Sequence, residues 1–322
     1  MGRPAAKTAL VKEAMARFPN LPIRTLARYL VYNHPGVFAS EEHVRNQLKY
    51  YLGANGDRCR QFRPKIEREV SIPPTWRNER TPYKLPKGKW LGLFDVHIPF
   101  HEIKPLEAAL EYGKKVKVDG IFLGGDAMDC AAVSYWPSAI KRDLDREIEL
   151  FIDFLDVLDK EFPKARKVYK MGKHEIRMPR YLQSKAPDLM GIPLATMDTV
   201  FGFETRGIDT VEHSEIVMAG ELPILHGHEL ARGFSRAVNP ARGLFLKAKS
   251  WALCGHFHTS SEHTERSIRN KLLTTWSIGC LCDLNPEYSL VNSWNWGFCI
   301  IDHDGHDFEV TNKRILPNGQ VA

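Results

Sequence analysis

The sequence predicts an α/β fold preceded by a small all-α unit. Three observations carry that expectation. From residue 90 onward, short apolar runs alternate with amphipathic helical patterns. Residues 1–63 instead show helical spacing interrupted by proline and glycine. Between them, residues 64–88 hold five prolines and no strong periodicity, the mark of a linker.

The helical unit divides at its breakers. Over residues 6–18, Leu10, Val11, Ala14, Met15 and Phe18 fall on one side of a helix that Pro19 closes. Pro22 is placed to open a second helix running to about Tyr32, with Leu26, Leu30 and Val31 inward. Asn33-His34-Pro35-Gly36 ends it. Ser40 is the N-cap of a third helix over 41–52, with Glu41 and Glu42 in its first turn. Val44, Leu48 and Tyr51 form that helix's core stripe, and Arg45, Asn46, Lys49 and Tyr50 its other face.

Charge points to a partner for this unit. The net charge is +6, but residues 1–70 hold 13 Lys and Arg against 6 Asp and Glu, so the whole excess lies in the first fifth of the chain. Such asymmetry favours a polyanion. The linker is basic too: Arg77, Arg80, Lys84, Lys87 and Lys89 face only Glu79 between residues 77 and 89. Three short helices with a basic, amide-bearing third helix resemble a helix-turn-helix module. The resemblance implies Arg45 and Lys49 on phosphates and Asn46 at a base edge, with DNA as the favoured nucleic acid. The alternative is a solvated helix face in a structural or dimerising cap.

Composition excludes other classes. At 43% hydrophobic and 26% charged residues, the chain is a globular protein and not a disordered one. No apolar stretch spans a bilayer, so no membrane partner is expected. The first seven residues lack a signal peptide's apolar core, and Ala6 stands where myristoylation needs Ser or Thr. The six cysteines contain no C-x-x-C pair; Cys280 and Cys282, two apart as on one strand face, read as a buried reduced pair, with a zinc site or redox switch as the alternative. A cytoplasmic, reducing compartment is expected.

In the α/β unit, apolar strands are expected at 89–94, 120–123 and 166–171, and helices at 104–115 and 141–160. The second helix is strongly amphipathic through Leu144, Ile148, Phe151, Ile152, Leu155 and Leu158. Strand-like runs follow at 211–218, 222–226, 271–278 and 296–302. Residues 229–243, with Arg232, Arg236 and Arg242 among Gly233 and Gly243, read as a mobile basic loop. Trp251, Trp276, Trp294 and Trp296 read as core and not as base-stacking platforms.

The chemistry sits at the ends of the apolar runs. Asp95-Val96-His97, Gly125-Asp126…Asp129, Gly172-Lys173-His174-Glu175, His226-Gly227-His228 and Gly255-His256-Phe257-His258 follow one another along the chain. Carboxylates and imidazoles hold borderline divalent ions, and a bridging carboxylate can build a two-metal site for phosphoryl chemistry. Carboxyl ends of strands are where open α/β sheets place their sites.

These five ordered blocks resemble the calcineurin-like metallophosphoesterase family, over roughly residues 89–310. The continuation through Pro99, and Arg177, Arg180 and Tyr181 after the third block, resemble its bacteriophage members. The resemblance implies a four-layer α/β/β/α sandwich. It implies a first metal on Asp95, His97, Asp126 and His258, and a second on Asp126, His226 and His256, with Asp126 bridging. His174 would be the general acid or the stabiliser of the leaving oxygen, and Asp129 would orient a neighbour such as His174. Arg177 and Arg180 are candidate phosphate contacts, and His228 is the second imidazole that the H-G-H block offers. Manganese is the first choice of ion, with iron, zinc, nickel or magnesium also compatible.

One block departs from the pattern. Lys173 stands where the family places a metal-binding asparagine, and an ammonium has no lone pair to give. Either it replaces the second ion as a point charge, or it points away and two ions still bind. The function expected is a metal-dependent phosphodiesterase or nuclease of phage or prophage type in the host cytoplasm. The alternatives are a phosphomonoesterase or cyclic-nucleotide phosphodiesterase on small molecules, or a DNA-binding protein with a vestigial site.

Overall fold

The structure, a computed structural model, describes residues 4–52, 72–75, 80–135, 143–192, 196–230 and 238–322. Expectations for residues 53–63, for Arg77 and Glu79, and for Arg232 and Arg236 lie outside these residues. The chain divides into two compact units, Met1–Arg77 and Asn78–Ala322.

The first unit is three helices, α1 (Pro4–Arg17), α2 (Ile23–Asn33) and α3 (Glu41–Leu52). Val11, Ala14, Met15, Leu26, Leu30, Val44 and Leu48 bury their side chains together. Ser40 caps α3, its Oγ accepting the His43 N–H at 3.2 Å. The seven residues between α2 and α3 exceed the roughly 3–4-residue turn of a helix-turn-helix.

The second unit starts inside the stretch read as linker. Tyr83–Lys84 forms β1, paired in parallel with β6 (Val217–Ala219). Two six-stranded mixed sheets follow. One has the order β12-β11-β2-β3-β4-β5, built from β2 (Gly88–Leu93), β3 (Gly120–Leu123), β4 (Arg166–Lys170), β5 (Ile208–Val211), β11 (Gly297–His303) and β12 (Phe308–Arg314). The other has the order β1-β6-β7-β8-β10-β9, completed by β7 (Leu222–Leu225), β8 (Ala252–Cys254), β9 (Ser261–Arg266) and β10 (Leu272–Ser277). β2, β3 and β4 run parallel, as do β7 and β8. Every residue of β3 is buried, which is why it reads as a continuous apolar run without alternation.

Three apolar layers hold the unit together. Trp90, Phe94, Phe122, Leu222, Leu253 and Trp276 pack between the sheets. On the outer face of the first sheet, α4 (Ile103–Lys115) and α5 (Leu144–Glu161) cover Leu91, Leu93, Ile121 and Leu123. Leu244 of α8 (Pro240–Ala248) packs on Ala252 and Cys254 of the second sheet. Helix, sheet, sheet and helix therefore lie in four layers. Phe151, Phe154, Leu155 and Leu158 of α5 are buried, each worth about 1.5–3 kcal/mol of apolar transfer.

Three expectations need correction. The run at 211–218 is not one strand: it divides into β5 and β6, which belong to different sheets. At the break the buried Lys170 ammonium donates to the carbonyls of Glu212, His213 and Glu215 at 3.5, 3.3 and 2.7 Å, so these carbonyls are satisfied outside either sheet. The basic loop at 229–243 ends in helix: Asn239 caps α8 through the Arg242 N–H at 3.0 Å, and Arg242 and Gly243 are helical. Cys280 and Cys282 are both buried but lie outside named strands, bridging Trp296 and His101 respectively.

Candidate metal centre

Loops after β2, β3, β4, β7 and β8 bring the five blocks together. Their backbone is strained for the purpose. Asp95, His97, Asp126, His256 and His258 all have φ between 52° and 69°, the left-handed region that non-glycine residues avoid. They are five of nine such residues among those described. Such conformations cost about 1–3 kcal/mol each and persist only where the surroundings dictate them. The glycines of the blocks answer to space. A Cβ at Gly125 (φ +104°) would strike the His226 ring, and one at Gly172 would strike the Asp126 carboxylate.

Each central carboxylate keeps one oxygen for the backbone and turns the other inward. Asp95 Oδ2 accepts the His256 N–H at 2.7 Å, while Oδ1 is buried without a hydrogen-bond partner. That orphan oxygen lies 3.2 Å from His258 Nε2, 3.8 Å from His97 Nε2 and 3.9 Å from His226 Nε2. Asp126 Oδ1 accepts the His174 N–H at 2.7 Å. Its Oδ2 lies 3.1 Å from His226 Nε2, 3.8 Å from His174 Nε2 and 4.0 Å from His97 Nε2. Both carboxylates, and not Asp126 alone, thus stand between groups of imidazoles.

The imidazoles are oriented from behind. Asp129 Oδ2 lies 2.9 Å from Nδ1 of both His97 and His174. His226 Nδ1 faces the Gly124 carbonyl at 3.1 Å, and His258 Nδ1 faces Cys282 Sγ at 3.8 Å. Carboxylates and carbonyls only accept, so for His97, His174 and His226 these contacts put a proton on Nδ1 and turn Nε2 toward the carboxylates. His97 Nε2 and His258 Nε2 lie 3.2 Å apart, close enough to share one proton or to face one cation.

The donors therefore fit divalent ions: anionic oxygen, neutral imidazole, burial and an orphaned carboxylate oxygen. Asp95, Asp126, His226 and His256 offer ligand atoms within 4.8 Å of one another, and so do His97, Asp126 and His174. A third such set is His97, His258 and Cys282. Without an ion, protons do part of the work. Burial alone would lower His226 and His258, but Asp126 for the first and Asp95 for the second outweigh it and push each up to about 9. Burial, then the neighbouring His226, lowers His256 to about 3, so it is neutral.

A supporting layer escaped the sequence reading. Glu175 is fully buried; its carboxylate accepts the N–H groups of Asp126, Ala127, Met128 and Gly172 and the Tyr169 hydroxyl at 2.7–3.2 Å. It fixes the Asp126 loop against the Gly172 loop. Glu229 does the same for the H-G-H block, accepting the His226 and Gly227 N–H groups, and Lys170 pins it at 3.0 Å. Both glutamates stand within or next to recognised blocks; only their position beside a ligand could have flagged them.

The remaining candidates divide. Arg177 donates to Asp129 Oδ1 at 2.8 Å and faces His174 Nε2 at 3.1 Å, so it belongs to the centre. Lys173 is exposed and makes no hydrogen bond or ion pair among the described residues. Arg180 is exposed on α6 (Arg177–Lys185). His228 turns toward His213 and Glu229, with burial lowering it to about 4. In the first unit, Arg45 pairs with Glu42 on its own helix, while Asn46 and Lys49 are exposed. Trp294 is not core: its half-buried ring packs against His258, inclined by 59° with centroids 4.1 Å apart.

Comparison with known proteins adds distant likenesses. No protein-family model matches the chain. The gene 54 protein of Mycobacterium phage L5 is 24% identical over 245 residues, covering 70% of this chain and 95% of that protein. Among solved structures, zinc-complexed Vps29 from Entamoeba histolytica aligns over 73% of this chain and 96% of its own, at 13% identity and a TM-score of 0.38. The phosphoesterase Yfce from E. coli aligns over 72% and 96%, at 12% identity and 0.36. A dimetal phosphatase from Danio rerio aligns over 70% and 95%, at 10% identity and 0.34. The chain's two mixed sheets with outer helices agree with the four-layer arrangement that the order of its sequence blocks leads one to expect.

Proposed function

We propose that the chain is a metal-dependent hydrolase of phosphoesters whose substrates are nucleic-acid phosphodiesters, DNA first among them, in the cytoplasm of a phage-bearing bacterium. One observation carries the reading. His97, His174, His226 and His258 tie Nδ1 outward and turn Nε2 toward two buried carboxylates. Asp95, His97, Asp126 and His258 would hold one ion, and Asp126, His226 and His256 a second. Divalent ions in such a site supply a nucleophile from water near neutral pH and neutralise phosphate charge.

The chain's own residues set the rest. Burial, despite the nearby Asp126, lowers His174, which is therefore neutral near pH 7. Its Nε2 can take a proton and pass it to a leaving oxygen once Arg177 turns to the phosphate. Asp129 holds His97 and His174 in register for that exchange. Lys173 offers its charge at the rim instead of occupying a ligand position. The basic face of α3 would bring a polyanion to the enzyme.

A panel of single- and double-stranded DNA, RNA, cyclic nucleotides and an aryl phosphodiester, each with manganese and with chelator, tests this reading. Metal-dependent DNA cleavage is expected, lost in Asp126→Asn. The Arg45→Glu/Lys49→Glu double variant is expected to weaken DNA cleavage and leave the aryl diester unchanged. Turnover of small phosphomonoesters or cyclic nucleotides with DNA untouched would replace this reading with a small-molecule one.

A further inference from the structure

We propose that Tyr288 and Trp294 form a stacking site for an unpaired nucleobase beside the metal centre, so that the substrate strand is read with its bases exposed. This deepens the nucleic-acid reading and rests on it. Trp294 is the link: its ring packs against that of His258, centroids 4.1 Å apart and planes inclined by 59°. The Tyr288 ring follows at 6.3 Å from Trp294, inclined by 63°. Two aromatic steps thus lead outward from His258, a candidate metal ligand, with the Trp294 and Tyr288 rings inclined to each other.

The site is open and held still. Tyr288 is 75% exposed, although a large aromatic surface normally hides from water. The segment carrying both rings is tied at several points. Asn292 Nδ2 donates to the carbonyls of Leu284 and Ser289 at 2.7 and 2.6 Å, and its Oδ1 accepts the Trp294 N–H at 2.8 Å. Asn295 N–H donates to the His258 carbonyl at 2.9 Å, joining this segment to the ligand loop itself. Leu290 and Val291, 68% and 97% exposed, make the tip apolar. An exposed aromatic ring two rings away from a candidate phosphoester site suits the flat face of a base attached to a phosphate. Stacking of this kind is sequence-tolerant and needs the base out of a duplex.

The test compares a single-stranded oligonucleotide with the same strand carrying abasic residues, both with manganese. Wild type is expected to prefer the base-bearing strand by about 10–100-fold in kcat/KM. Tyr288→Ala is expected to remove that preference through KM and leave the abasic strand's turnover unchanged, while Tyr288→Phe keeps the preference. Equal cleavage of both strands by wild type would overturn the stacking site and leave the phosphodiesterase reading standing. If no phosphodiester is cleaved, that reading falls, and equilibrium binding of the two strands to wild type and Tyr288→Ala decides: a base preference that Tyr288→Ala loses supports the site, and equal binding overturns it. Turnover of a phosphotyrosyl peptide with the same Tyr288 dependence, and indifference to bases in DNA, would also overturn it.

Discussion

The two units of the chain differ in where their polar groups point. In α1–α3 they face outward and satisfy one another locally, as Arg45 with Glu42 and Arg28 with Glu41 do. No described non-glycine residue there has a positive φ. At the strand ends of the second unit, carboxylates and imidazoles converge in a buried space on backbone held in the left-handed region. The first arrangement is what ordinary helix packing leaves on a surface. The second is costly unless something is bound, because buried charges need partners. A functional reading of the second unit therefore rests on geometry, and that of the first on charge alone.

The sharpest way to break this contrast is to remove a shared oxygen. Asp126→Asn is expected to cut phosphoesterase activity by more than about 100-fold and to abolish stoichiometric metal binding, with circular dichroism unchanged. Activity within a few-fold of wild type would mean that the buried cluster is not the working site. Asp129→Ala acts one step further out, freeing two imidazoles at once. It is expected to lower metal affinity about 10–100-fold, read by competition with a chromogenic chelator.

Protons sharpen the contrast further. In the metal-free protein, His226 and His258 hold their protons up to about pH 9. An ion requires the bare Nε2, so affinity is expected to rise with pH, by about tenfold per pH unit for each proton displaced, and to level off near pH 9. Calorimetry in buffers of different ionisation enthalpy counts those protons; a count of zero contradicts the assignment. The sign for stability is opposite. Both groups are raised above their unfolded value, so their stabilisation of the metal-free form is full below about pH 6.5 and lost as pH rises through about 9.

The helical unit should show the smallest effect. Ser40→Ala removes the α3 cap and is expected to cost about 1 kcal/mol in thermal unfolding without altering turnover of a small aryl diester. A loss of aryl-diester activity would show that the first unit does more than deliver substrate.

Much of the fold was legible because buried strands such as β3 are plain apolar runs and α5 carries a clean amphipathic stripe. The blocks themselves were legible for the same reason: the candidate ligands follow directly on those strands, and the structure brings them together. Three things were not. At the break between β5 and β6, Lys170 holds carbonyls 42–45 positions away, a contact that leaves no local mark in the sequence. Glu175 and Glu229 act through backbone N–H groups, which composition does not display. Trp294 sits in an aromatic-rich stretch that reads as core until its contact with His258 is seen.

The central claim is that the orphaned Asp95 oxygen and the inward Nε2 atoms enclose cations. Anomalous diffraction at the manganese edge, from crystals grown with that ion, tests it most directly. The expected result is one anomalous peak within bonding distance of Asp95 Oδ1, Asp126 Oδ2 and the Nε2 atoms of His97 and His258, and a second within bonding distance of Asp126 Oδ2 and His226 Nε2. Crystals showing those side chains in place and no peak between them, at saturating manganese, would contradict it.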